Sequence, residues 1–80
     1  MKMINRAEFI EKIVDLFDET DPKEITISAQ FRDLEEWSSL IGMGLMAMVT
    51  DEYGISINMV ELHQCKTFED ISNLINSKLG

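Results

Sequence analysis

The chain has 80 residues, with 15 acidic against 7 basic side chains, a formal charge of −8 and an isoelectric point of about 4.4. This length predicts one small domain, residues 1–80, which we expect to act as a monomer. The charge disfavours binding to nucleic acid or to an anionic membrane, since both would repel an acidic surface, and it favours partners with basic surfaces. The sequence contains neither a signal peptide nor an apolar run near the roughly 18 residues of a membrane span, so we expect a cytoplasmic protein without membrane insertion.

The first predicted helix covers residues 5–18. Its apolar residues recur at helical spacing and form one broad stripe, consisting of Phe9, Ile10, Ile13, Val14, Leu16 and Phe17. Asn5 is expected to cap the first turn, with Glu8 reaching back to the Asn5 N–H. Asp21-Pro22 is expected to close the helix, because proline disfavours the helical conformation in the residue before it.

A stretch without a regular element follows, over residues 19–37. A structureless loop of this length is uncommon inside a compact domain unless it is anchored or functional. Its apolar residues, Ile25, Ile27, Phe31 and Leu34, are spaced to hold it against a core. We therefore predict an ordered crossing segment, with a single helical turn from Phe31 to Leu34.

Three further helical segments are predicted in the second half of the chain. The second helix covers 39–53 and ends at Gly54, the position where a left-handed residue commonly terminates a helix. A short helical turn is expected over 59–64. The last helix covers 68–78, capped by Thr67. Three longer helices and one short helix predict an all-α fold, a small four-helix bundle.

The second helix is apolar on two sides. One side is expected to face the core and consists of Ile41, Leu45, Met48 and Val49. The other is expected to face outward as a docking surface and consists of Leu40, Met43, Gly44, Ala47 and Asp51. A small bundle rarely surrounds one helix completely, which favours an exposed apolar side. Gly42 and Gly44 each cost roughly 1 kcal/mol relative to Ala in a helix, a cost that close approach by a neighbour on the outward side would offset.

Two serines open this helix. Ser38 is well placed as N-cap, which leaves Ser39 as the first helical residue with an exposed hydroxyl. The helix dipole and the free N–H groups favour an anion there, so Ser39 suits a phosphate ester. The simpler interpretation is that both serines only cap the helix.

The sequence gives little indication of a catalytic site or of a metal-binding site. A nucleophilic Ser39 would need a base and an oxyanion hole, yet His63 is the only histidine and no Gly-x-Ser-x-Gly motif occurs. The acidic runs 18–21 and 33–36 lack the ligand spacing and the glycine of a calcium loop. Cys65 stands alone, so one chain cannot form a disulfide or a cysteine-based zinc site, and we expect a buried thiol. The sequence predicts neither catalytic residues nor metal ligands.

The sequence resembles the acyl carrier proteins, which are phosphopantetheine-binding carrier domains, over the runs FRDLEEWSSLIGMGLMAMVTDEYGISI (31–57) and KTFEDISNLI (66–75). The family signature is Asp-Ser-Leu at the start of the second helix, after a Phe-x-x-Leu anchor and before a helix that ends in Glu-aromatic-Gly. The matching positions are Phe31, Leu34, Ser39, Leu40, Glu52, Tyr53, Gly54, Ile57 and Thr67.

The resemblance implies that a phosphopantetheinyl transferase attaches phosphopantetheine from coenzyme A to Ser39. It implies a carrier and not an enzyme, which presents acyl or related groups as thioesters to acyl-transferring or acyl-modifying enzymes of fatty-acid, polyketide or other specialised biosynthesis. Ser38 departs from the family, which has Asp there to assist the transferase, although Glu35 and Glu36 keep negative charge nearby. Two alternatives stay open: an unmodified, carrier-like acidic adaptor, and a peptidyl or aminoacyl carrier domain.

Overall fold

A computed structural model describes residues 3–80, and residues 1 and 2 of the predicted domain lie outside the described residues. Four α-helices follow one another along the chain, α1 (Arg6–Val14), α2 (Ser39–Tyr53), α3 (Met59–Gln64) and α4 (Phe68–Leu79). Residues 3–80 contain no β-strand, only an isolated bridge between Gln30 and Thr67. The predicted all-α fold of three longer helices and one short helix is confirmed. In this part of the chain, no helix has the length and apolar character needed to cross a bilayer.

The ends of the last three helices follow from local capping chemistry. Gly54 ends α2 in the predicted left-handed conformation, with φ of 69°. Thr67 and Asp70 cap α4 reciprocally, since each side chain accepts a hydrogen bond from the other residue's backbone N–H. Asn58 and Glu61 form the same reciprocal cap on α3. The predicted range of α2 is confirmed, and α4 is one residue longer than predicted.

The first helix is shorter than predicted, because it ends at Val14 and not near residue 18. The N–H groups of Leu16 and Phe17 donate to carbonyls three residues back, at 2.9 and 3.1 Å. This is the hydrogen-bond pattern of a 3₁₀ turn, and it ends the α-helix. The prediction that Asp21-Pro22 ends this helix is therefore wrong. Asp21 instead caps a separate 3₁₀ turn, Pro22–Glu24, by accepting from the Lys23 N–H at 2.9 Å.

At the start of α1, one of the two predicted capping hydrogen bonds forms. The Asn5 side chain accepts from the Glu8 N–H at 3.1 Å, as expected for an N-cap. Within residues 3–80, Glu8 makes no return bond to the Asn5 N–H. Glu8 is instead an exposed acid in the first turn, where it still favours the positive end of the helix dipole.

The core is built from every helix and from the segment that joins α1 to α2. Its buried apolar members are Phe9, Ile13, Phe17, Ile25, Phe31, Leu45, Val49, Ile57, Leu62, Cys65, Phe68, Ile71 and Ile75. The predicted burial of Cys65 is confirmed, and burial raises the pKa of its thiol.

The segment over residues 19–37 is ordered, as predicted. Ile25 and Phe31 are buried, and Ile27 and Leu34 pack half-buried against the core. The predicted helical turn is a 3₁₀ turn, Phe31–Asp33. The Phe31 N–H donates to the Lys66 carbonyl at 3.3 Å, and the Glu69 N–H donates to the Ile27 carbonyl at 2.7 Å. These bonds fasten the segment that precedes α2 to the start of α4.

The buried side of α2 differs from the predicted one and is centred on Gly42, Leu45 and Val49. Leu45 and Val49 are buried, but Ile41 and Met48 are only half-buried. Gly42, which we had expected to serve the outward side, is itself buried. A Cβ at Gly42 would lie 3.4 Å from the Trp37 ring and 3.6 Å from Leu62, so neighbours within the chain make the close approach there.

Candidate functional site

Ser39 is the first residue of α2 and is exposed. Ser38, just before it, has extended backbone angles, and its Oγ accepts a hydrogen bond from the Ile41 N–H at 3.4 Å. The predicted capping role of Ser38 is therefore confirmed. Because Ser38 provides the cap, the Ser39 hydroxyl is not needed to satisfy the backbone of the helix.

The start of α2 favours a negatively charged group. Within residues 3–80, no protein acceptor reaches the N–H groups of Ser39 and Leu40. The first turn also contains no acidic residue that would compensate the positive end of the helix dipole. A phosphate ester on Ser39 would bring its charge to these N–H groups, so this donor set fits a phosphate-linked arm.

Two aromatic rings hold the chain just before the serines. Phe31 is fully buried, and the Trp37 ring packs on it with ring centroids 4.6 Å apart. The Trp37 N–H donates to the Leu34 carbonyl at 3.0 Å. Trp37 thus covers the core beside Phe31. These contacts give Ser38 and Ser39 a rigid support.

A carboxylate clamp, which the sequence analysis did not predict, lies three residues before Ser39. The Glu36 carboxylate accepts from the N–H groups of Asp18, Glu19 and Thr20 at 2.6, 2.9 and 2.8 Å. The Thr20 hydroxyl donates to it as well, at 2.6 Å. Glu36 therefore connects residues 18–20, in the segment after α1, to the chain just before α2. The bonded residues lie 16 to 18 positions apart along the chain, and no sequence pattern links residues at such a separation, so the sequence does not predict the clamp.

The clamp strongly favours the ionised form of Glu36. The Thr20 hydroxyl and the backbone N–H groups lower the pKa of Glu36 from its ordinary 4.5 to about 2. Because the folded-state pKa is depressed, the stabilisation is complete above about pH 4.5 and disappears as the pH falls toward about 2. Glu35, its neighbour, is exposed and makes no hydrogen bond or ion pair within residues 3–80.

This difference between neighbouring glutamates gives a testable prediction. Glu36→Gln should lower the Tm at pH 7 by several degrees, because an amide cannot accept from all four donors as the carboxylate does. The difference from wild type should shrink as the pH falls below about 4.5. Glu35→Gln removes the same charge and should melt like wild type. Thermal melts of the three proteins between pH 7 and pH 3 measure this, and equal Tm values for the two variants would contradict the clamp.

The predicted docking residues lie on the outward side of α2. Leu40 and Met43 are 78% and 59% exposed, and Ala47 and Asp51 are exposed as well. Gly44 is half-buried, and a Cβ there would lie 3.5 Å from Leu16, two residues after the end of α1. Four of the five side chains are thus open to solvent, and the fifth position borders the seam with α1.

The start of α3 adds two apolar residues to the surface that the sequence analysis did not single out. Met59 and Val60 are 41% and 67% exposed. The available signal was the adjacent apolar pair directly after the Asn58 cap, in a helix that buries only Leu62. Met59 lines a small opening together with Ser39 and other residues, so the start of α3 borders the start of α2.

His63 lines the same small opening as Ser39 and is exposed. Within residues 3–80, no hydrogen bond joins the Ser39 hydroxyl to the His63 ring, and no group of three His, Cys, Asp or Glu side chains could hold a metal ion. The most distinctive chemical feature at the start of α2 is therefore an exposed hydroxyl beside free N–H groups.

Known proteins match this chain over nearly its whole length. A family model described as a phosphopantetheine attachment site matches residues 7–75. The acyl carrier protein of Petrotoga mobilis is 32% identical, and the match covers 96% of this chain and 94% of that protein. The acyl carrier protein of Thermosynechococcus vestitus is 27% identical, with coverage of 96% and 99%. The match with these relatives extends over nearly the whole length of each protein.

Proposed function

Because the chain belongs to the phosphopantetheine-binding carrier family, we propose that it is a stand-alone acyl carrier protein whose attachment site is Ser39. The observation that carries this proposal is the exposed Ser39 hydroxyl at the first residue of α2, beside N–H groups without a protein acceptor. Phosphopantetheine is the group of this family, and its terminal thiol, once attached, holds an acyl group as a thioester.

Each residue at the start of α2 has a distinct part in this proposal. In the transfer, Ser39 Oγ would lose its proton and bond to the phosphorus of the phosphopantetheine arm, while the pyrophosphate bond of coenzyme A breaks and adenosine 3′,5′-bisphosphate leaves. The N–H groups of Ser39 and Leu40, with the helix dipole, stabilise the phosphodiester charge. Ser38 keeps the helix capped, and Phe31 and Trp37 keep the site rigid. The chain holds and presents its cargo, and the partner enzymes perform the chemistry.

We propose that partners dock on the outward side of α2, over Leu40, Met43, Gly44, Ala47 and Asp51. The exposure of Leu40 and Met43 supports this surface, because they lie three residues apart on one side of α2 and a contiguous exposed apolar patch is typical of an interaction site. The formal charge of −8 favours enzymes with basic docking surfaces, whose attraction increases the rate of encounter. The partners are the phosphopantetheinyl transferase and the acyl-transferring or acyl-modifying enzymes of fatty-acid, polyketide or other specialised biosynthesis.

Modification in vitro tests the proposal. The unmodified chain is incubated with coenzyme A, magnesium and a promiscuous phosphopantetheinyl transferase, and its intact mass is measured. A single added arm is expected. A wild-type chain that stays unmodified with several transferases would favour the alternative of an acidic adaptor. The replacement of the family's Asp by Ser38 supports that alternative. A peptidyl or aminoacyl carrier would be modified in the same way and differ only in its cargo.

Ser38 also gives a prediction about the rate of modification. Ser38→Asp should raise the initial rate several-fold, because it restores a carboxylate facing a basic transferase surface. The free energy of unfolding should stay within about 0.5 kcal/mol of wild type, since Asp and Ser are comparable caps. Ser38→Asn keeps the cap without charge and should modify at the wild-type rate. Equal rates for the Asp and Asn variants would show that the missing carboxylate is unimportant.

Three further expectations stay predictions. They are that residues 1–80 act as one carrier domain, that this domain is monomeric, and that it works in the cytoplasm.

Glu36 does not replace the acidic residue that the family has at the position of Ser38, because the Glu36 carboxylate is engaged in the clamp with residues 18–20. Glu35 is exposed and forms no ion pair within residues 3–80, so its carboxylate is available to a transferase.

A further inference from the structure

A groove, which we call the α1–α2 groove, runs between the chain after α1 and the start of α2. Its volume is about 310 Å³, at the lower end of the roughly 300–1,000 Å³ that ligand pockets occupy. The opening on the other side of α2, toward α3, measures about 60 Å³ and holds only a few waters. Ser38 lines both, so the α1–α2 groove begins one residue from the proposed attachment position.

Gly44 keeps the α1–α2 groove open. A Cβ at Gly44 would lie 3.5 Å from Leu16 Cδ2, an ordinary van der Waals distance. Apart from the backbone of α2 and the adjacent residues, no other atom of residues 3–80 would lie within 4 Å of it. A glycine destabilises a helix relative to alanine, so Gly44 has a cost that contacts within residues 3–80 do not explain. The missing side chain leaves space in the groove for another group.

The lining of the α1–α2 groove matches the chemistry of a pantetheine arm. Leu16, Leu40 and Ile41 supply apolar surface, to which the methyl and methylene groups of the arm are suited. The Asp18 carboxylate also lines the groove, is exposed, and has no hydrogen-bond or ion-pair partner within residues 3–80. Glu36 is already engaged in the clamp. Asp18 is therefore the free acceptor for one of the two amide N–H groups of the arm.

We propose that the α1–α2 groove holds the pantetheine arm carried on Ser39. The dimethyl group of the arm lies on Leu16 and Ile41, and an amide of the arm donates to Asp18. The inference rests on the proposed function, because the arm is the group proposed for Ser39. Gly44 also belongs to the proposed docking surface, so the bound arm lies at the edge of the surface that partners approach.

Isotope-filtered NMR measures the position of the arm directly. Isotope-labelled chain is modified with unlabelled coenzyme A, and intact mass verifies the arm. We expect nuclear Overhauser effects (NOEs) from the dimethyl group of the arm to the methyl groups of Leu16 and Ile41. NOEs to Met59 and Leu62 instead, or an arm without NOEs to the chain, would overturn the proposal.

Two matched pairs of variants test the lining. Gly44→Leu fills the groove and should remove these NOEs, whereas Ala47→Leu changes an exposed position on the same helix and should keep them. Asp18→Ala serves if Gly44→Leu does not fold, and should make an amide proton of the arm exchange several-fold faster. Asp15→Ala removes an exposed carboxylate outside the groove and should leave this exchange rate unchanged. Full NOEs in folded Gly44→Leu, or unchanged exchange in Asp18→Ala, would contradict the groove.

A route without a transferase separates this inference from the proposed function. Ser39→Cys is alkylated with N-butyl iodoacetamide, which supplies an amide and a short apolar chain. Cys65 is 6% exposed, and mass spectrometry verifies that one label is added. NOEs from the butyl group to Leu16 and Ile41 are expected even if no transferase modifies the wild type, a result that would contradict the proposed function alone. A butyl group with NOEs to Met59 instead would overturn the α1–α2 groove and leave the attachment of the arm unaffected.

Discussion

Leu45→Glu should leave the chain unfolded at room temperature. Leu45 is 1% exposed and lies in the core beside Val49. An unpaired carboxylate in such a place costs several kcal/mol. A chain of this size has a total stability of only roughly 4–12 kcal/mol, so one substitution removes most or all of it. Circular dichroism, together with a thermal melt, measures this loss.

Met43→Glu is the matched variant on the same helix. Met43 is 59% exposed, so the same new carboxylate stays in water and should change the free energy of unfolding by less than about 0.5 kcal/mol. The variant should still accept the arm at Ser39 but transfer cargo poorly to its cognate enzyme. Thr50→Glu adds the same charge at an exposed position outside the docking residues and should transfer normally.

The opposite result would be equally clear. If Met43→Glu unfolds the chain while Leu45→Glu is tolerated, the two sides of α2 are assigned in reverse. If Met43→Glu and Thr50→Glu impair transfer equally, the effect comes from charge on the helix in general, and the docking surface proposed over Leu40 and Met43 fails.

The elements predicted correctly are those whose ends depend on neighbouring residues. The range of α2 follows from Ser38 and Gly54, and the start of α4 follows from Thr67. Each of these signals acts over three or four residues, so the sequence contains the whole interaction. The helical turn at Phe31 was predictable for the same reason, from two apolar residues spaced to meet the core.

The errors concern contacts between distant parts of the chain. The chain leaves the helix after Val14, and the N–H groups of residues 18–20, which a longer α1 would use, donate to the distant Glu36 carboxylate. The burial of Gly42 depends on Trp37 and on Leu62 of another helix. Helical periodicity describes each helix by itself and does not specify which neighbour covers which side.

The candidate site was predictable in part. The exposed hydroxyl of Ser39 follows from the cap at Ser38, and the exposure of Leu40 and Met43 follows from the second apolar side of α2. The small opening beside Ser39 was not predictable, because its size depends on how Trp37 packs against Gly42. The sequence thus suffices to propose Ser39 as the attachment position, and the packing shows which side chains surround it.

Ser39→Ala should abolish modification completely while the fold is unchanged. Ser39 is exposed and Ser38 provides the cap, so the lost hydroxyl satisfies no backbone group and the free energy of unfolding should change by less than about 0.5 kcal/mol. The substitution removes the oxygen that forms the phosphodiester. Ser38→Ala removes the cap instead and should cost about 1 kcal/mol, yet keep the attachment oxygen.

The intact mass of these two variants, after incubation with coenzyme A and a promiscuous phosphopantetheinyl transferase, is the most direct test of the attachment site. We expect Ser38→Ala to gain one arm and Ser39→Ala to gain none. An arm on Ser39→Ala would contradict the role of Ser39, and the absence of an arm from Ser38→Ala in the same experiment would then assign the attachment to Ser38.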